Sequence, residues 1–119
     1  MIKMVIAMRT DLDMNRGKMC AQAGHASLMY LVEKLNDRHS DLTFTSSEEE
    51  WYLGGGMTKI VVAINSPDKL RDLENQCEAA GLKCFSVTDR TLGVKTCCAI
   101  GPDDSDKIDK ITRQLPLLR

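Results

Sequence analysis

Two short apolar runs, Met4 to Met8 and, after Lys59, Ile60 to Ile64, limit what this chain can fold into more than any other feature. Unbroken runs of this length, rich in Val and Ile, describe strands buried on both faces, and such strands need helices above and below the sheet. The segments between and after the runs supply those helices. Gly17 leads into a helix over about Lys18 to Leu35, and Ser66-Pro67-Asp68 opens a second, with an N-cap and a first-turn proline. Leu70, Leu73, Cys77 and Ala80 form the apolar stripe of that second helix, and Gly81 ends it. Cys84 to Val87 and Thr96 to Ile100 read as two further strands. Gly101 to Ser105 then ends the last strand and caps a helix with Ile108, Ile111 and Leu115 inward, stopped before Pro116. The order β-α-β-α-β-β-α predicts an α/β fold in one domain over 1–119, a four-stranded mixed sheet with helices on both faces. The two apolar runs are expected at its centre, with Val5, Ile6, Ile60, Val62 and Ile64 buried. Asn36 to Gly56 is polar and punctuated. Glu48 to Glu50 read there as a short, solvated helix start capped by Ser46 or Ser47, and the rest as the most mobile part of the chain.

Composition narrows the function. Aromatic residues make up only 4%, too few for a module that stacks bases on exposed rings. A formal net charge of -1 excludes a broadly basic protein, so any nucleic-acid contact must come from a local patch. The five cysteines (Cys20, Cys77, Cys84, Cys97 and Cys98) form no CxxC pair and sit in apolar runs, as reduced thiols used as small hydrophobes do. For Cys97-Cys98, alternation along a strand turns at least one side chain inward. Neither a metal nor a cofactor is expected, and the apolar N-terminus is too short for a signal peptide or a membrane span, which points to the cytoplasm.

The segment Arg16 to Ala26 carries the chemistry. Lys18, Gln22 and His25 fall at i, i+4 and i+7 and stack along one helix face, set among Met19, Cys20, Ala21, Ala23 and Ala26. A cation, an amide and an imidazole in one row need partners or water, because burying any of them unpaired costs about 1–3 kcal/mol or more.

Arg9-Thr10-Asp11-Leu12 followed by Gly17-Lys18-x-x-Ala21-Gln22-x-x-His25-Ala26 resembles the signature of the type 2 peptidyl-tRNA hydrolases. The resemblance continues through Trp51 to Gly54, Lys59 to Val62, Ser66-Pro67-Asp68, Gly81-Leu82, Ala99 to Pro102, and Ile108 to Thr112 with Leu115. The chain departs from that pattern at Thr88 to Thr96, where the Ala-Gly after the aspartate is missing and the loop is shorter. The resemblance implies hydrolysis of the ester between a peptide and the terminal ribose of tRNA, with peptidyl-tRNA as partner at its acceptor end and no covalent nucleophile. It also admits a homodimer. The catalytic set it implies is Lys18, Gln22, Asp89, Thr91 and Thr96, with Asp89 pairing with Lys18.

Each residue also has a plainer reading. Lys18 is a candidate for meeting an oxyanion or phosphate at a helix start, or else a solvated first-turn lysine. Gln22 can position water or substrate, or simply face solvent. His25, two turns from Lys18, is assigned to the substrate-binding group through a structural hydrogen bond near the site rather than as a base. Asp89 reads alternatively as a turn residue, and Thr91 and Thr96 as strand formers. Arg9, Arg16, Arg90 and Lys95 are expected to ring the Lys18 end of the helix as a basic rim for the acceptor end, or to be solvated charges. A member of the same fold that binds tRNA or a protein without turnover is the alternative function, and the 88–96 loop is where the two readings part.

Overall fold

In the computed structural model, which describes residues 1–37 and 41–119, the elements run β1 (Ile2–Arg9), α1 (Arg16–Asn36), α2 (Ser46–Leu53), β2 (Lys59–Ile64), α3 (Pro67–Ala80), β3 (Cys84–Thr88), β4 (Lys95–Asp104) and α4 (Ser105–Thr112). The four strands form one mixed sheet in the order β2-β1-β4-β3. β1 pairs parallel with β2 and antiparallel with β4, and β4 pairs antiparallel with β3.

The period-two alternation of β1 divides the core into two layers. Val5 and Ala7 pack with Val62, Ile64, Ile100 and the inner faces of α3 and α4, where Leu70, Leu73, Ile108 and Ile111 are buried. Met4, Ile6 and Met8 point the other way, against Ala26 and Tyr30 of α1 and Trp51 of α2. Cys97 and Cys98 are both buried, one in each layer. Burying each of the larger aliphatic side chains contributes about 1.5–3 kcal/mol.

Three expectations are corrected. β2 lies at the edge of the sheet, not at its centre, and Ile60 is only half-buried. The run is apolar because its outer edge is covered by the C-terminal segment: the Ala63 N–H donates to the Pro116 carbonyl (2.8 Å) and the Leu118 N–H to that of Val61 (3.0 Å). β4 does not stop at Ile100 but continues through Gly101-Pro102 to Asp104, with a register shift opposite Lys3 and Val5 that accommodates the interruption. Glu48 is not a solvated residue: it is 3% exposed, closes a capping box with Thr45, the true N-cap, and pairs with Lys34 at 3.0 Å. Of the span expected to be mobile, residues 38–40 lie outside the described residues. No helix among the described residues is long and apolar enough to cross a membrane.

Candidate active site

Three pieces of backbone meet beyond the ends of β1 and β3 and the beginning of β4. The first is the start of α1, capped by Asn15, whose side chain accepts the Lys18 N–H at 2.8 Å. That cap sets Lys18 in the first turn and Gln22 one turn further along the same face. The second is the tight turn leaving β3, in which the Asp89 N–H donates to the Val94 carbonyl (3.0 Å) and the Gly93 N–H to the Asp89 carbonyl (2.8 Å). Gly93 takes a left-handed φ of 70°, which the turn needs and which glycine adopts without strain. The third is Thr96 at the start of β4, fully buried.

The side chains join into one directed network. The Thr96 hydroxyl donates to Gln22 Oε1 (2.5 Å), and Gln22 Nε2 donates to Asp89 Oδ1 (3.3 Å). Lys18 Nζ donates to the same Oδ1 at 2.6 Å, and Asp89 Oδ2 accepts the Leu92 N–H at 2.7 Å. The Lys18 ammonium holds the Asp89 carboxyl below the usual carboxylate range, aided by the Leu92 and Thr91 N–H groups and opposed by desolvation. Gln22 is anchored from behind as well. Burial pushes the Cys97 thiol up to about 11, and as a protonated thiol it donates to the Gln22 carbonyl at 3.6 Å.

The two sides of the ion pair differ in exposure. The Asp89 side chain is 7% exposed and that of Lys18 34%, so the carboxylate is enclosed while the ammonium reaches the surface. An ammonium has three donors, and Asp89 takes one. Two remain for a ligand in the adjoining cleft, about 430 Å³, which Gln22, His25, Met29, Val87 and Arg90 help to line. The arrangement can place fixed positive charge and amide donors against a developing oxyanion, with water excluded on the buried side.

Lys18, Gln22, Asp89 and Thr96 are thus brought together, and the shortened loop still delivers Asp89 to Lys18. Thr91 is not part of the network through its hydroxyl: its side chain is exposed and lines a separate groove that Lys18 also borders. His25 is exposed at the cleft and makes none of the hydrogen bonds expected of it among the described residues.

The basic rim is smaller than expected. Arg9 is 6% exposed and committed: its guanidinium grips Asp11 at 3.1 and 2.7 Å and donates to the Lys95 carbonyl at 3.0 Å, tying β1 to the start of β4. Lys95 pairs with Glu74 at 2.8 Å. Arg16 lines a different groove, with Met19, Cys20 and Val61. Only Arg90 shares the cleft with Lys18. Charges in a sequence carry no record of their partners, although Arg9-x-Asp11 at a strand end was the available signal for the first. The Leu92 N–H that fixes Asp89 is a backbone group and leaves no trace in residue identity.

The family model for peptidyl-tRNA hydrolase PTH2 matches residues 2–118. The chain belongs to the PTH2 family. Among curated relatives, it is 40% identical to a peptidyl-tRNA hydrolase of Methanocaldococcus jannaschii, over 98% of this chain and 100% of the relative. A peptidyl-tRNA hydrolase of Haloquadratum walsbyi is also 40% identical, over 98% of this chain and 99% of its own. That of Methanopyrus kandleri is 38% identical, with both chains covered in full.

Proposed function

We propose that this PTH2 protein hydrolyses peptidyl-tRNA, releasing the peptide and a tRNA with a free terminal ribose. The observation that carries the reading is the enclosed Lys18–Asp89 pair, braced by Gln22 and Thr96, with the ammonium open to a cleft. Water attacks the ester carbonyl carbon, and the carbonyl oxygen takes up negative charge against the Lys18 ammonium. When the tetrahedral species collapses, the carbon–oxygen bond to the ribose breaks. Water has then given its hydroxyl to the acyl carbon and a proton to the ribose oxygen.

In this reading the attacking group is water, and the two less exposed hydroxyls beside the site already have acceptors. Thr96 donates to Gln22, and Ser86 donates to Glu74 at 2.9 Å. Asp89 acts as a positioning carboxylate. Oδ1 already accepts two hydrogen bonds and Oδ2 the Leu92 N–H, so its part is to aim Lys18 and Gln22. Gln22 keeps one amide N–H with which to orient water or the carbonyl group. A substrate made by translation fits a cytoplasmic enzyme.

The test is single-turnover hydrolysis of an N-acetylaminoacyl-tRNA by the wild type and by Lys18→Ala. Loss of one oxyanion donor should slow the step by about 10²–10³-fold. Binding of deacylated tRNA should change far less. A wild type that binds tRNA without turnover, or a Lys18→Ala variant as fast as the wild type, contradicts the reading.

A further inference from the structure

Lys18 borders two depressions, not one. The first is the cleft that contains His25, Met29 and Arg90. The second is a groove of about 240 Å³ formed by Leu12, Asp13, Met14, Asn15, Thr91 and Leu92, with Lys18 as the residue shared between them. Apart from the Lys18–Asp89 pair they differ in charge. The cleft carries the exposed Arg90, and the groove the exposed Asp13, and neither has an ion-pair partner among the described residues. Leu92 is an exposed apolar side chain at the mouth of the groove, and Leu12 and Met14 are half-buried in its wall.

The ester that the proposed hydrolase would cleave is likewise two-armed about its carbonyl carbon. Its alcohol arm is a nucleoside followed by anionic phosphates. Its acyl arm is an uncharged main chain with a variable side chain beside the ester. We infer that the nucleotide arm enters the Arg90 cleft and the acyl arm the Leu12–Met14–Leu92 groove, with Lys18 at the carbonyl between them.

Charge decides the direction. Arg90 attracts a phosphate and can hold it through two donors at once, whereas Asp13 repels it. The exposed His25 imidazole offers the cleft a flat face for the terminal base. The second groove presents apolar surface that an aliphatic side chain would cover. Its volume, about 240 Å³, is enough for one residue of the peptide beside the ester. Asp13 adds selectivity by disfavouring an acidic residue there. The groove therefore reads the C-terminal residue of the peptide, and the cleft reads the tRNA. This assignment rests on the hydrolase reading, from which it takes the substrate.

The experiment compares kcat/KM for N-acetylleucyl-tRNA and N-acetylaspartyl-tRNA at several salt concentrations, in the wild type, Leu92→Ser, Asp13→Asn, Arg90→Ala and Lys18→Ala. Leu92→Ser and Asp13→Asn should each reduce the leucyl-over-aspartyl preference, by up to about tenfold, the scale of a few apolar contacts. Neither should alter the salt dependence of KM. Arg90→Ala should lower the slope of log KM against log salt by about one and leave the acyl preference unchanged. An altered salt slope in Leu92→Ser, an altered acyl preference in Arg90→Ala, or an unchanged acyl preference in both groove variants overturns the assignment of the arms. Failure of the underlying reading looks different: Lys18→Ala then hydrolyses both substrates at the wild-type rate.

Discussion

Asp89 is the residue whose position follows least from its neighbours in the chain. With the Ala-Gly after it missing, its identity with the PTH2 aspartate depends on where the deletion falls, and a turn aspartate ahead of Arg90 is nearly as good a description of the same letters. The turn explains its position physically, since Asp89 caps it with both main chain and side chain and so points its other carboxylate oxygen at Lys18. Lys18 and Gln22 were legible because helical spacing alone aligns them. Arg9 was not, because its bidentate grip on Asp11 is a matter of rotamer and burial. The pair implies a pH dependence with a definite sign. Asp89 has a lowered carboxyl pKa in the folded protein. Its stabilising contribution is therefore complete above the unfolded value of about 3.9 and is lost as pH falls through the lower folded value. The difference in Tm between wild type and Asp89→Asn should stay constant from neutral pH down to about pH 5 and shrink below about pH 4. A difference that collapses near neutrality, or grows in acid, contradicts the pairing.

Among the elements, helix boundaries were the more readable. Ser66, Pro67 and Gly81 act locally, and the structure uses each where its chemistry suggests, with Gly81 left-handed at a φ of 71°. Strands depend on partners distant in sequence, which is why β2 was misplaced and β4 read too short. Gly101-Pro102 has the letters of a stop signal, yet it lies inside β4 because Gly101 adopts a φ of 95° and packs its bare Cα against β1. A Cβ there would sit 2.9 Å from the Lys3 carbonyl oxygen and 2.8 Å from the Asp103 nitrogen, both backbone atoms with little room to give. Gly101→Ala should cost about 1–3 kcal/mol in conformational strain, with the steric clash added. Chemical denaturation measures it, and an unchanged midpoint would show that β1 and β4 can separate more easily than their pairing suggests.

No single element holds the site. Lys18 and Gln22 ride on α1, Thr96 begins β4, Asp89 leaves β3, and Arg9 at the end of β1 fastens the start of β4 beneath them. These ends converge only in the folded sheet, so the fold class followed from the apolar runs whereas the contacts within the site had to await the structure. If the convergence is what makes the site work, Lys18 and Asp89 act as one unit, because the carboxylate contributes by aiming the ammonium. The decisive measurement is a double-mutant cycle on single-turnover hydrolysis of N-acetylaminoacyl-tRNA, using Lys18→Ala, Asp89→Asn and the two together. Groups that act as a unit are strongly non-additive, so the double variant should be about as slow as Lys18→Ala alone. A double variant slower by the product of the two single effects would mean that Asp89 acts on the substrate independently of Lys18, contrary to the geometry of the pair.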